Sequence, residues 1–289
     1  MNIPVTWVEC PRDAMQGWKA WIPTEKKIEY LNALLDVGFH TLDFGSFVSP
    51  KSIPQMRDTA EVLQSLKLSQ TKLLAIVANL RGAETALQHE RIQYLGYPFS
   101  VSPTFQQRNT ASTQEESRMQ IEQIQERCKH ASKELVVYLS MGFGNPYGDA
   151  YSRDVLLHWA DAFAAMGIKI LSLADTVGVA QPHDISFALE TLIPHHPQVQ
   201  FGVHLHSAPQ AWQPKLAAAF NAGCTRFDSA LLGIGGCPMA ADELVGNMDT
   251  LWLLQLFKQR GVAITCNEDA LEKSKAIAQN IFASHGLDA

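Results

Sequence analysis

The chain has 289 residues, 46% of them hydrophobic and 18% charged, with a formal net charge of −6. That length builds one large domain or two small ones, with a core that needs no staples. No Lys/Arg run stands out, so a nucleic-acid partner is not expected, and no apolar run is long enough to make a membrane partner expected.

Taken in order, short apolar runs rich in β-branched residues alternate with longer helical patterns. Strands are predicted over residues 5–10, 41–46, 72–78, 94–101, 135–143, 170–176, 200–207 and 226–233. Helices are predicted over 24–37, 55–65, 113–131, 152–166, 182–192 and 209–222, with two more at 252–260 and 271–284. Thr24, Thr113 and Ser152 stand as caps before amphipathic runs, and Thr113-x-x-Glu116 has the capping-box form. Gly38, Gly167 and Gly223 each stand at a helix end just before a strand. Repeated β-then-α order argues a parallel sheet, and eight units argue an α/β fold closed into a (β/α)8 TIM barrel. An open doubly wound sheet is the alternative, weakened because no G-x-G-x-x-G follows the first strand. No repeat, low-complexity tract or Pro/Gly-rich linker divides the chain. A single domain over 1–289 is expected, with the barrel over about 5–260 and a short C-terminal helical extension over about 261–289.

Five cysteines (Cys10, Cys128, Cys224, Cys237 and Cys266) are an odd number at scattered spacings. They form neither a disulfide framework nor a C-x-x-C metal site. With no signal-peptide pattern, a reducing cytoplasm is the expected compartment.

Chemistry in a barrel gathers where strands end and the following loops begin. In a strand, residues two apart share a side, about 7 Å apart along the backbone. His204 and His206 therefore project together while Leu205 faces away. Two converging imidazoles can hold one divalent ion, although a short H-x-H is more often two satisfied histidines. Matching oxygen donors stand at other strand ends: the Asp13 carboxylate after the first, and the Asn247 amide beyond the eighth. A mixed nitrogen and oxygen set without thiolate suits Mg²⁺, Mn²⁺, Co²⁺ or Zn²⁺. Arg12, beside Asp13, offers a guanidinium to a developing oxyanion or enolate if the strand has ended before it. Gly235-Gly236-Cys237-Pro238 reads as a lid-like loop carrying a thiol, a candidate proton donor to a carbanion. Asp43 and Asp175 stand at strand ends, where each can orient a histidine, hold Arg12 or bind substrate. Lys19 and Lys51 are candidates for an anionic tail such as a phosphate, against the commoner role of exposed charge.

Together these motifs resemble a known group. Pro11-Arg12-Asp13-x-x-Gln16, Ser46-Phe47-Val48-Ser49-Pro50-Lys51, Asp175-Thr176-Val177-Gly178-Val179, His204-Leu205-His206, Gly233-Ile234-Gly235-Gly236-Cys237-Pro238 and Gly246-Asn247 are similar, in that order, to the 3-hydroxy-3-methylglutaryl-CoA lyase group of the DRE-TIM metallolyases. The resemblance implies a (β/α)8 barrel binding divalent Mg²⁺ or Mn²⁺, with Asp13, His204, His206 and Asn247 as ligands. It implies an acyl-CoA substrate cleaved by a retro-Claisen step to acetyl-CoA and a keto product, acetoacetate in the parent reaction. Arg12 then stabilises the enolate and Cys237 donates the proton, with Asp43 and Asp175 completing the catalytic set. Gln16, Lys19, Ser46 and Tyr138 are the substrate-binding candidates, and a homodimer is the expected assembly.

Departures from the pattern are equally specific. The family has glutamate where Asp43 stands, aspartate at Ser207, glycine at Ala14 and asparagine at Gly17. A carboxylate one methylene short either misses Arg12 or reaches it through water. A changed acyl group is one consequence. A metal-dependent aldolase or condensing enzyme on 2-keto acids, and a non-catalytic metal-binding barrel, are the competing functions.

Overall fold

The computed structural model describes residues 4–236 and 245–283. Eight parallel strands close into a barrel in chain order: β1 (Thr6–Glu9), β2 (Thr41–Ser46), β3 (Lys72–Ile76), β4 (Ile92–Ser100), β5 (Glu134–Ser140), β6 (Ile170–Ala174), β7 (Gln200–His204) and β8 (Arg226–Ser229). The seam closes where β1 pairs with β8, from Thr6 opposite Arg226 to Glu9 opposite Ser229. The helices are α1 (Pro11–Gln16) and α2 (Thr24–Leu35) after β1, α3 (Thr59–Ser65) after β2 and α4 (Leu80–Leu87) after β3. Then come α5 (Pro103–Thr110) and α6 (Gln114–His130) after β4, α7 (Arg153–Ala165), α8 (Pro182–His195) and α9 (Trp212–Asn221). After β8 follow α10 (Thr250–Gln259) and α11 (Glu268–Ala283).

Strand alternation makes two cores. Leu74, Ile76, Tyr94, Val136, Tyr138 and Ile170 pack against each other on the inward faces of β3 to β6. A larger cluster, including Leu73, Leu95, Val137 and Phe227, joins the outward faces to the helices. Each buried aliphatic or aromatic side chain contributes about 1.5–3 kcal/mol.

The strand order is as expected, but several boundaries differ. The predicted strand over 135–143 stops at Ser140. Met141 takes φ 57, a left-handed turn that breaks the extended run. Residues 11–16, which the sequence places only at the end of the first strand, form α1, with Pro11 at the first helical turn where a missing N–H costs nothing. Two short helices had no place in the sequence pattern. Asn79 caps α4 by accepting from Gly82 N at 2.9 Å, and Ser102 caps α5 by accepting from Phe105 N at 3.1 Å.

The C-terminal helix α11 lies on α2. Phe282 meets Trp18 and Tyr30 edge-on, with ring centroids 5.2 and 6.4 Å apart. Among the described residues, no helix is long and apolar enough to cross a membrane.

Candidate active site

Arg12 and Asp13 stand side by side at the barrel mouth because β1 has ended before them. Arg12 Nη1 donates to Asp13 Oδ1 at 2.8 Å, and Gln16 Nε2, one turn later on α1, donates to the same oxygen at 2.8 Å. On its other side Arg12 meets Asp43 directly, with Nε 3.0 Å and Nη2 2.6 Å from Oδ2. The expectation that the shorter carboxylate misses, or needs water, is therefore corrected. Burial opposes the Arg12 charge, but Asp43 and Asp13 outweigh it and raise its pKa, so the guanidinium stays protonated. Burial pushes Asp43 up to about 6 against the pull of Arg12.

The two histidines converge as their spacing requires, with ring centroids 5.3 Å apart. His204 ends β7, and His206 lies just past it, where an antiparallel bridge to Asn247 continues the extended backbone. Ser207 N donates to Gly246 O and Met248 N to Leu205 O, both at 3.0 Å, so the 246–248 segment is fastened beside the histidines. His206 Nδ1 donates to Val245 O at 2.9 Å, and His204 Nδ1 faces Asp228 Oδ2 at 3.3 Å. With Nδ1 engaged in each ring, Nε2 keeps its lone pair for a ligand role. Burial and the neighbouring His204 lower His206 to about 4, so it is neutral near pH 7. Burial works the other way on His204, yet Asp228 and Asp13 raise its pKa, marking a field that favours positive charge.

Asp13 and Asn247 complete the set. Asn247 Nδ2 donates to Asp13 Oδ2 at 2.8 Å and to Ile234 O at 2.9 Å. Its Oδ1 is buried with no partner among the described residues, as suits an oxygen kept for a cation. Burial pushes Asp13 up, but Arg12 and both imidazoles outweigh it and hold its pKa at about 2. Donor chemistry and the orphan amide oxygen thus fit a divalent ion. The donor atoms of Asp13, His204 and His206 do not all lie within 4.8 Å of one another; among the described residues, those of Cys10, His204 and Asp228 do. Gly235 explains one constraint on the loop above. At φ +98 it lies so close that an added Cβ would stand 2.7 Å from Asn247 Nδ2 and 2.8 Å from Asp13 O.

The other expected residues fall in different surroundings. Cys237 lies outside the described residues. Tyr138 is buried on β5 with its ring edge-on to His204 at 6.1 Å. Asp175 accepts from Lys215 Nζ at 2.9 Å and from Ala180 N at 2.9 Å, so its carboxylate fastens the β6 loop. Ser46 is buried and its hydroxyl accepts from Val48 N at 3.1 Å, forming a turn. Lys19 and Lys51 are exposed. Gln55 Nε2 binds the backbone around Lys19, donating to Trp18 O at 2.8 Å and also to Ala20 O.

Sequence reasoning missed Asp228 and Lys215. Asp228 is two residues from the start of β8, so alternation turns it to the same face as Arg226, and the β7–β8 register sets it opposite His204. Lys215, buried on α9, also donates to His206 O at 2.8 Å and so links the β6 and β7 loops. Nothing in its spacing singles it out.

A family profile described as HMGL-like matches residues 5–277. The chain belongs to the HMGL-like family. Among the HMGL-like relatives, the hydroxymethylglutaryl-CoA lyase of Bacillus subtilis is 31% identical over 256 residues, covering 87% of this chain and 84% of that protein. The cytoplasmic 3-hydroxy-3-methylglutaryl-CoA lyase of rat, Rattus norvegicus, is 30% identical, covering 84% and 72%. In three dimensions, the HMG-CoA lyase of Acinetobacter baumannii, solved in complex with coenzyme A and 3-methylmalate, superposes with TM-score 0.90. Identity there is 29%, with 98% of this chain and 92% of that one covered. This HMGL-like chain is accordingly an enzyme of the lyase class within the DRE-TIM superfamily.

Proposed function

We propose that the chain cleaves 3-hydroxy-3-methylglutaryl-CoA, or a closely related 3-hydroxyacyl-CoA, to acetyl-CoA and a keto product, acetoacetate for the parent substrate. The carrying observation is the mouth itself: Asp13, Asn247 and two histidines whose Nδ1 atoms are already engaged stand beside an arginine clamped by two carboxylates. Asp13, His204, His206 and Asn247 would hold Mg²⁺ or Mn²⁺, which when bound supplies Lewis-acid polarisation of substrate oxygens.

In the reaction a base takes the proton of the tertiary hydroxyl, and that carbon becomes the carbonyl of the ketone. The C–C bond breaks, and its electron pair passes to the thioester fragment as an enolate. Arg12 stabilises the developing enolate oxygen, and its contacts with Asp43 and Asp13 keep the guanidinium from reorganising. Cys237 then gives its thiol proton to the enolate carbon, completing acetyl-CoA, and the thiolate recovers a proton from solvent. Lys215 and Asp175 support the site from behind, through the His206 carbonyl and the β6 loop. Buried free cysteines (Cys10, Cys128 and Cys224) accord with a reducing cytoplasm.

The test uses the purified chain with the hydroxymethylglutaryl thioester, Mg²⁺ or Mn²⁺ and a reductant, following acetoacetate. Turnover that disappears with a chelator and with Cys237→Ala is expected. Tight metal binding without turnover on any 3-hydroxyacyl-CoA would overturn the proposal, and turnover confined to free keto acids would replace it with an aldolase.

A further inference from the structure

Below the mouth, on the inward faces of β1, β7 and β8, lies a second constellation. Cys10 directly follows β1, His204 ends β7, and Asp228 stands opposite His204 on β8. One ligand atom from each, sulfur, nitrogen and oxygen, lies within 4.8 Å of the other two. All three residues are withdrawn from solvent, with only the His204 ring partly reaching the mouth. Donors around one tetrahedral ion stand roughly 3.5 Å apart, so the group closes with small side-chain shifts.

Two further observations point to a ligand. Asp228 is buried, and its Oδ1 has no hydrogen-bond partner among the described residues. The Tyr138 hydroxyl, close to the same groups, is also buried without one. Buried polar atoms of this kind call for a bound water or ion.

We propose that Cys10, His204 and Asp228 form a binding site for a soft or borderline divalent cation, of the Zn²⁺ or Cd²⁺ class, and that its occupation inhibits the enzyme. The thiol proton leaves to solvent as sulfur takes the ion. Mg²⁺ does not compete for this site, because a hard cation has little affinity for thiolate. Inhibition follows from sharing. Asp228 and His204 are drawn out of the contact that fixes the imidazole, and His204 is lost to the Asp13, His206 and Asn247 set. The inhibitory half rests on the lyase reading, whereas binding does not.

The experiment is a Cd²⁺ titration of the full-length protein without substrate, reading the ultraviolet thiolate-to-cadmium charge-transfer band. Wild type and Cys237→Ala should both show the band at one equivalent, and Cys10→Ala should lose it. Cys10→Ser, which preserves the volume, should lose it too and guards against misfolding of the alanine variant. Asp228→Asn should weaken Cd²⁺ binding by at least about tenfold. In the acetoacetate assay with saturating Mg²⁺, Cys10→Ala should resist Cd²⁺ at least about tenfold better than wild type. A band that survives Cys10→Ser, or disappears with Cys237→Ala, would move the ion to another thiol and overturn the site. Loss of the band in Cys10→Ser in a protein without lyase turnover would leave the site standing while the lyase reading fell.

Discussion

Asp43 holds Arg12 side-on, its Oδ2 lying 3.0 Å from Nε and 2.6 Å from Nη2 at a position sealed from solvent. The arginine is thereby fixed between two carboxylates, and the shorter side chain suffices. Asp43→Glu adds a methylene to a full site, and overpacking of this kind costs about 1–3 kcal/mol. Turnover should fall or stay level, not rise. A gain in acetoacetate formation by Asp43→Glu would show that reach limits the native enzyme. Asp43→Asn, which removes the charge at nearly constant volume, should lower kcat by about ten- to a hundredfold.

Metal retention should separate the residues by their contacts. His206→Ala removes a donor and should abolish Mn²⁺ binding measured by calorimetry. Asp228→Asn leaves every donor in place but weakens the partner of His204 Nδ1, so affinity should fall by about 10–100-fold. Cys237→Ser should bind Mn²⁺ as wild type does and lose turnover. Equal metal loss in all three variants would contradict the assignments.

Gly235→Ala offers a test that adds one methyl group. The left-handed φ of +98 resists a side chain, and the new Cβ would press on Asn247 Nδ2 and the Asp13 carbonyl. Far-ultraviolet circular dichroism should remain native while Mn²⁺ affinity falls by about tenfold or more. Unchanged affinity would mean that the loop yields freely and does not shape the donor set.

Lys215 is the buried partner of Asp175 and of the His206 carbonyl. Lys215→Met keeps the apolar stem and strands the carboxylate, a loss of about 3–5 kcal/mol when one member of a buried pair is removed. Urea denaturation should show it. Lys215→Met/Asp175→Leu should recover part of the loss, and failure of any recovery would place the cost elsewhere.

Glu9 supplies the pH dependence. It is fully buried, accepting from Leu231 N at 2.8 Å and from Thr250 Oγ1 at 2.6 Å, and burial raises its pKa from 4.5 to about 8. Between those values the folded chain keeps a proton that the unfolded chain has released. Stability from this group is therefore greatest below pH 4.5, declines as pH rises and levels off above about 8. The decline is at most about 1.4 kcal/mol per pH unit. Glu9→Gln retains the acceptor for Leu231 N–H and removes the titration, so its urea midpoint should vary less with pH across that window. A slope equal to wild type would assign the dependence to another group.

The barrel was legible in the sequence because its signals are local. Eight β-then-α alternations, helix caps such as Thr113, and glycines such as Gly38 each act within a few residues, and period-two spacing made His204 and His206 neighbours before any coordinates. Asp13 and Asn247 could be paired with them only through the rule that strand ends meet at one mouth. Which distant side chains meet was not decided there, since Asp43 was left with three possible partners. Asp43 meets Arg12 across 31 positions and Lys215 meets Asp175 across 40. Closure of β1 on β8 brings Cys10 within reach of Asp228, a distance along the chain that no motif records. Such pairs are set by strand register and by side-chain packing around the closed ring. A methylene more or less decides them, and that scale lies beyond what periodicity and propensity encode.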